Sequence, residues 1–400
     1  MKILAIDDQQ LVLLPIQKRL NEIGYDVQIE TDPIKGLKSY ENERPDLLII
    51  DINMPGTSGI EIIKSIRKKD EETPIMVLSG NTEDKIILEV FDLGVNDYMK
   101  KPLSLNEVCA RVKRMLGNPA SNSAESLSDN MMIQHRCVGV VIPCYNEEDR
   151  LLSETFIDFV NSNSGYHLCF VNDGSTDNTL EVLNKLKLGR EDYISVYNCE
   201  KNGGKAEAVR QGMLHLHDQK DLDYIGFLDA DLSTDFSDFE ELVKTIEQSD
   251  FKIVSGSRIS RMGADITKES ARKIISKTIN LMICTILSMD FKDTQCGAKI
   301  FRRDSVKDLF TLPFITKWLF DVEIFMRVKN DLGTEKAKAS ICERPLNRWI
   351  HADGSKLSFK DSLKIGLQIF RIAWDYRIKP MFQKEDLSYQ NQVSLKSFEN

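Results

Sequence analysis

The sequence predicts an α/β protein of two domains, the first a doubly wound, five-stranded parallel sheet. Three observations lead there. The chain has 400 residues, more than one hydrophobic core usually holds. Over residues 1–117 short aliphatic runs (Lys2–Ile6, Asp46–Ile50, Pro74–Leu78) alternate with helix-period segments, the pattern of a parallel sheet covered on both faces. The alternation stops at a Ser- and Asn-rich stretch, 118–136, read as a flexible linker, and resumes at Cys137. The second α/β domain then runs over 137–380, and the polar tail 381–400 is expected to be mobile.

Composition narrows the function classes. With 42% hydrophobic and 29% charged residues, 11 Pro and 21 Gly, the chain is neither collagenous nor low-complexity nor wholly disordered. A net charge of −9 argues against a nucleic-acid partner. Two local cationic stretches break that balance: residues 252–277 hold seven Lys/Arg against two Asp/Glu, and 343–379 hold eight against four. Such a surface suits a phosphate or an acidic membrane. The eight cysteines include no C-x-x-C pair, which fits reduced thiols in a cytoplasm. No signal-peptide core follows MKILAIDDQQ, and no apolar run reaches spanning length. Any membrane contact is therefore expected to be peripheral, on the inner face.

In the first domain, Asp7 and Asp8 follow the first strand, Asp51 the third, Ser79 the fourth and Lys101 the fifth. In an open parallel sheet these ends meet at one crevice. Three carboxylates together repel and call for a hard cation, Mg²⁺, while Lys101 adds a positive charge suited to phosphate. Asp51 can then attack a phosphoryl group, with Ser79 donating to its oxygens. With IDD, DINMPG, LSG and DYMKKP in order, the domain resembles the response-regulator receivers, which have the CheY-like fold. The resemblance implies that Asp8, Asp51 and the Asn53 carbonyl ligate Mg²⁺, that Asp7 acts through water, and that Tyr98 reorients on phosphorylation. It also implies a sensor histidine kinase as partner and a phosphorylation-dependent homodimer.

The second domain opens with VVIPCYNEEDRL, where a strand ends in a polar turn holding Pro143, Tyr145 and Glu147, a place to cradle a nucleotide. FVNDGSTDNT sets Asp173 in a tight turn, suited to a base or ribose. Asp229 and Asp231 follow the strand IGFL, and their spacing of two points both carboxylates to one side, where they can share a divalent cation with a diphosphate. With NGGKAEAVRQG between the last two pieces, the domain resembles glycosyltransferase family 2, of GT-A fold. Further on, DTQCGAKIF, WLFDVEI and W-x-x-x-x-GSKLS are similar to segments of dolichyl-phosphate β-glucosyltransferases and polyprenyl-phosphate hexosyltransferases. Two positions depart from the family pattern: Asn172 replaces the first Asp of DDGS, and Ala298 replaces the aromatic after CG.

The resemblance implies a nucleotide-sugar donor, UDP-glucose, held with Mg²⁺ or Mn²⁺ by Asp229 and Asp231, and places Lys205 in the donor site. Arg272 and Ser276, four apart on a helical pattern, and Arg258 at a strand end can grip a phosphate monoester; the resemblance implies that they bind polyprenyl phosphate. Asp293 matches the family position proposed as base or orienter, with Glu323 as the reserve. The expected activity is inverting transfer of a hexose, controlled by phosphorylation. The alternatives are transfer to a sugar hydroxyl and a non-catalytic sensor of nucleotide sugars. His215-x-His217 reads as structural. The stripe Leu363, Leu367, Phe370, Trp374 reads as core packing, with basic flanks that also suit a bilayer surface.

Overall fold

In the computed structural model, residues 1–80, 83–119, 132–218, 222–258, 270–347 and 359–378 are described. The expected mobile tail and the W-x-x-x-x-GSKLS segment lie outside them, as does 120–131 of the expected linker.

The first domain is a sheet of β1 (Lys2–Ile6), β2 (Asp26–Glu30), β3 (Leu47–Asp51), β4 (Ile75–Ser79) and β5 (Asp97–Lys100). All are parallel, in the order β2-β1-β3-β4-β5. The helices between and after them are α1 (Gln10–Ile23), α2 (Pro33–Glu43), α3 (Gly59–Arg67), α4 (Asp84–Asp92) and α5 (Leu105–Leu116). Local chemistry sets their ends. Asp32 caps α2 by accepting from the Ile34 and Lys35 amides, with Pro33 at the first helical position, and α1 stops at Gly24, whose φ of 107° only glycine adopts freely. β3 and β4 are buried throughout, as strands covered on both faces must be.

A two-residue strand, β6 (Leu103–Ser104), precedes α5. The second domain comprises β7 (Met132–Cys144), α6 (Ser153–Ser162), β8 (Asn163–Asn172), α7 (Thr179–Lys187), β9 (Ile194–Asn198), α8 (Lys205–His217), β10 (Tyr224–Leu228) and α9 (Phe236–Glu247). It continues with β11 (Ile253–Ser257), α10 (Ser270–Leu287), β12 (Ala298–Arg302), α11 (Arg303–Phe310), α12 (Phe320–Leu332), α13 (Thr334–Ser340), β13 (Ile341–Pro345), α14 (Phe359–Ala373) and a π-helical turn, Trp374–Ile378. Its sheet runs β13-β11-β12-β10-β7-β8-β9, with β12 antiparallel to both neighbours.

β7 begins at Met132, inside the stretch read as linker, and β6 of the first domain pairs with its first residues. The two domains share one apolar layer: Leu11, Val12 and Ile16 of α1 belong to the same buried cluster as Cys137, Cys169 and Val171. The first domain is thus seated on the second instead of hanging from a tether. α14 also differs from expectation. It buries Ile365, Ile369 and Ile372, while Leu367, Phe370 and, in the turn that follows, Trp374 are exposed; Leu363 lies among side chains outside the described residues. The helix carries two adjacent apolar stripes, and the isoleucine stripe faces the shared core.

One buried histidine makes the second sheet acid-sensitive. His167 on β8 sits with Nδ1 3.1 Å from the Asp192 carbonyl and Nε2 2.9 Å from Ser195 Oγ. A carbonyl only accepts, so Nδ1 carries the proton and Nε2 accepts from the serine. Burial pushes its pKa down to about 4 from 6.5. Below pH 6.5 the unfolded chain takes up a proton that the folded chain refuses until about pH 4. Stability present at neutral pH is therefore lost across that window, by about 3 kcal/mol. Urea unfolding at pH 7.5 and pH 5 should show a clearly smaller acid loss in His167→Gln than in the wild type; equal losses would place the acid sensitivity elsewhere.

Candidate functional site

The C-terminal ends of β1, β3, β4 and β5 bring Asp7, Asp8, Asp51, Ser79 and Lys101 into one pocket. Lys101 Nζ lies 2.6 Å from Asp7 Oδ2 and 2.8 Å from Asp51 Oδ2, with all three side chains buried. One carboxylate oxygen from each of Asp7, Asp8 and Asp51 lies within 4.8 Å of the others. Burial raises Asp7 to about 6, the Asp51 charge adding to it against Lys101, and raises Asp8 to about 7, with Asp7 and Asp51 adding to it. Burial also opposes the Lys101 charge, but the two carboxylates hold its pKa above the ordinary value. A crowded, all-oxygen set whose charged forms repel one another is the donor chemistry that a hard divalent cation relieves. Asn53 donates its amide N–H to Asp51 Oδ1 (2.8 Å) and its Nδ2–H to Ser79 Oγ (3.0 Å). Tyr98 is half-buried beside Ser79.

In the second sheet, three adjacent strands, β10, β7 and β8, end together. The turn after β7 is tied to the turn after β8: the Asn146 and Glu147 amides donate to Ser175 Oγ and Thr179 Oγ1, and Asn146 Oδ1 accepts from the Thr176 amide. This holds Pro143 and Glu147 in one wall with exposed Tyr145 at its rim. Gly174, at φ 63°, lies so close to the Asn202 amide that any side chain would collide with it. Asp173 is buried, and its two oxygens accept from the Gly203 and Gly204 amides (2.8 and 2.9 Å). It anchors the loop that starts α8. Asn172, where the family has an acid, donates to Asn198 Oδ1 and accepts from the Ser175 amide. Ala298 is fully buried on β12.

Asp229 and Asp231 differ in surroundings. Asp229 forms a 2.5 Å ion pair with Lys205, and a side chain at Gly297 would strike its carboxylate. Asp231 is exposed and accepts from the Ser233 amide (2.9 Å). Burial raises the pKa of Glu147, and the Asp231 charge adds to it against Arg150, so Glu147 and Asp231 face one electrostatic space. Asp231 is the carboxylate with oxygens open to a cation and a diphosphate; Asp229 reaches such a cation only by sharing with Lys205.

On the acceptor side the structure corrects several expectations. Arg258 does not present an open fork: Nε and Nη2 donate to Asp293 Oδ2 and Oδ1 (2.6 and 2.8 Å), its amide also donates to Oδ2, and Nη2 reaches the Gln295 carbonyl. Burial opposes the Asp293 charge, yet Arg258 outweighs it and holds the carboxyl down at about 2. Glu343 in turn accepts from the Lys292 and Asp293 amides. A carboxylate so acidic is a poor proton acceptor near neutral pH, so of the two expected roles Asp293 suits the orienter. Glu323 is fully buried, and its oxygens accept from the Ile315 and Thr316 amides and from Thr316 Oγ1. These bonds make it an anchor for the loop before α12. Arg272 and Ser276 fall on α10 among side chains outside the described residues.

Sequence reasoning missed a third ion pair, Lys299 on β12 with Asp321 on α12 (2.7 Å), both buried. Asp321 also feels Lys205 and Asp229, and Asp293 feels Lys299. Three pairs, Lys205–Asp229, Lys299–Asp321 and Arg258–Asp293, thus underlie the strand ends. The available signal was Lys299 itself, a lone charge in the apolar strand AKIF, which needs a buried acid as partner.

Residues 3–113 match the Response regulator receiver domain family and residues 139–310 the Glycosyl transferase family 2. The chain is 32% identical over 254 residues to a dolichyl-phosphate β-glucosyltransferase of Dictyostelium discoideum, covering 60% of this chain and 74% of that protein. It is 31% identical over 282 residues to the dolichyl-phosphate β-glucosyltransferase of Saccharomyces cerevisiae, covering 64% and 81%. Its N-terminal part is 38% identical over 132 residues to the alkaline phosphatase synthesis transcriptional regulatory protein PhoP of Bacillus subtilis, covering 32% and 55%.

Proposed function

Because the chain belongs to glycosyltransferase family 2, with a CheY-like receiver fused ahead of a transferase domain that resembles the dolichyl-phosphate β-glucosyltransferases, we propose that it transfers a hexose from a nucleotide sugar, UDP-glucose, to a polyprenyl-phosphate acceptor at a membrane face. In this reading a sensor kinase phosphorylates Asp51 and the receiver controls the transfer. The observation that carries the choice of acceptor is Asp293. A sugar hydroxyl needs a base to take its proton, and the carboxylate in the family's base position is locked on Arg258 at a pKa of about 2. A phosphate monoester, with its second pKa near ~6, arrives largely ionised and needs positioning instead.

The reaction then proceeds as an in-line displacement. The acceptor phosphate oxygen forms a bond to the anomeric carbon as that carbon's bond to the nucleotide's terminal phosphate breaks, so the nucleoside diphosphate leaves from the opposite face and the centre inverts. Asp231, with Asp229, would hold Mg²⁺ or Mn²⁺, which supplies charge neutralisation for the leaving diphosphate. Asp173 fixes the loop at the start of α8 and thereby the position of Lys205, which orients Asp229. Arg258 and Asp293 hold each other in place at the wall where the acceptor enters. The described residues contain no helix long and apolar enough to cross a membrane; the exposed Leu367, Phe370 and Trp374 fit peripheral contact.

Mass spectrometry of products after incubation with mixed nucleotide sugars and a membrane lipid extract tests the reading. A hexosyl lipid phosphate is the expected product; a glycosylated saccharide with no lipid product would move the acceptor to a hydroxyl, and no turnover of any donor would favour a sensor. On the receiver side, acetyl phosphate or beryllofluoride with Mg²⁺ should alter the wild-type protein and leave Asp51→Asn unchanged, read by phosphate incorporation and by hydrogen exchange at residues 51–54. A normal response in that variant would move phosphorylation off Asp51.

A further inference from the structure

The receiver's acid pocket and the transferase's donor site are joined by an unbroken path of named contacts. Asp7, whose Oδ2 holds Lys101, accepts the Gln9 amide at Oδ1 (2.9 Å). The buried Gln9 side chain reaches across the domain boundary, its Nε2 donating to Asp223 Oδ2 at 2.6 Å. The same oxygen accepts the Cys137 amide (3.0 Å), and Asp223 and Cys137 also bond through their backbones. Asp223 immediately precedes β10, and Cys137 lies in β7 beside it. Those two central strands end at Asp229–Asp231 and at Pro143–Glu147, the two walls of the donor site.

Two further features show that this boundary is built into the fold. Pro15 lies inside α1 and lacks the N–H that would bond the Leu11 carbonyl one turn back; Ser164 Oγ of the transferase donates to that carbonyl instead (3.3 Å). And β6, two residues after Lys101, pairs antiparallel with Met132 and Ile133, the start of the strand that leads to Pro143. Receiver residues on both sides of the acid pocket are therefore hydrogen-bonded to the strands that carry the donor site.

We propose that Gln9 is a positioning residue through which the transferase reads the phosphorylation state of the acid pocket within a single chain. The proposal rests on the reading of the chain as a receiver-controlled transferase. A phosphoryl group on Asp51 and a cation among Asp7, Asp8 and Asp51 change the partners of Asp7, and with them the setting of the Gln9 amide that Asp7 holds. The Gln9 side chain passes the change to Asp223, and close-packed strands carry it as a rigid shift, since a packed interior transmits strain more readily than it absorbs it.

The test is hydrogen exchange on the full-length protein with and without beryllofluoride and Mg²⁺. In the wild type, peptides covering 223–231 and 137–144 should change exchange rate by about 5-fold or more, the low end of ordinary coupling between sites, along with the receiver's own 51–54. In Gln9→Ala the receiver peptide should still respond and the transferase peptides should not, with basal sugar transfer unchanged. Gln9→Met, close in length and without a donor, should likewise silence the transferase peptides while the receiver peptide responds, if the hydrogen bond itself is what matters. Transmission in Gln9→Ala equal to wild type overturns the proposal. So does a wild type whose receiver responds while 223–231 stay silent, whether or not light scattering shows a dimer forming. Sugar transfer that fails while transmission persists would sink the transferase reading and leave the coupling standing.

Discussion

Replacing Asp231 by alanine is expected to lower turnover at least ~100-fold, the loss typical when a group that stabilises transition-state charge is removed. The expectation follows from the division of labour at the end of β10. Asp229 is already engaged by Lys205 and pressed against Gly297, whereas Asp231 is exposed and, among the described residues, bonded through the Ser233 amide. Because Asp231 faces solvent, its removal should leave the melting temperature nearly unchanged, so the loss will not be one of folding. The split between kcat and KM assigns the role: a fall in kcat at saturating donor marks an interaction made in the transition state, and a rise in KM alone marks uniform binding. Activity that survives chelator undiminished would remove the metal from the site.

Lys299→Met is expected to destabilise the fold by about 3–5 kcal/mol, because it leaves the Asp321 carboxylate buried without its ion-pair partner. Lys299 also donates to the Cys296 carbonyl and lies over the rings of Phe227 and Phe325, so several contacts go with it. The double variant Lys299→Met/Asp321→Leu should recover much of the loss, since it removes the stranded charge along with its partner. Chemical denaturation of the two variants checks both statements. A single variant within ~0.5 kcal/mol of wild type, the range of an ordinary surface change, would mean that water reaches Asp321 and that the pair is not closed. Recovery of stability without recovery of sugar transfer would show that the pair is retained to shape the donor site.

Much of the molecule was legible in the chain because strand and helix periods are local. Lys2–Ile6, Asp46–Ile50 and Pro74–Leu78 announce a parallel sheet, and a parallel sheet puts the C-terminal ends of its strands on one edge. The gathering of Asp7, Asp8, Asp51, Ser79 and Lys101 therefore follows from sequence and topology alone. The same logic places Pro143, Asp173 and Asp229 at one rim. Gly174 and Gly297 were likewise visible as residues of recognised segments, though not the collisions that require them.

What the sequence by itself determined, then, is the identity of each element and the residues at its end. In the second domain and across the domain boundary, tertiary structure alone decided which charged and polar groups meet. Arg258 meets Asp293 across 35 positions and Gln9 meets Asp223 across 214, and no local period encodes such pairings. That is why the sequence leaves Asp293 as either base or orienter, and why Asp173 reads as suited to a base or ribose although two backbone amides hold it. The seat of the receiver was hidden for the same reason. α1 buries Leu11, Val12, Leu13 and Ile16, apolar nearly all round its first turns; a helix of that kind needs cover on two sides, but only the folded chain shows that the second side is the transferase.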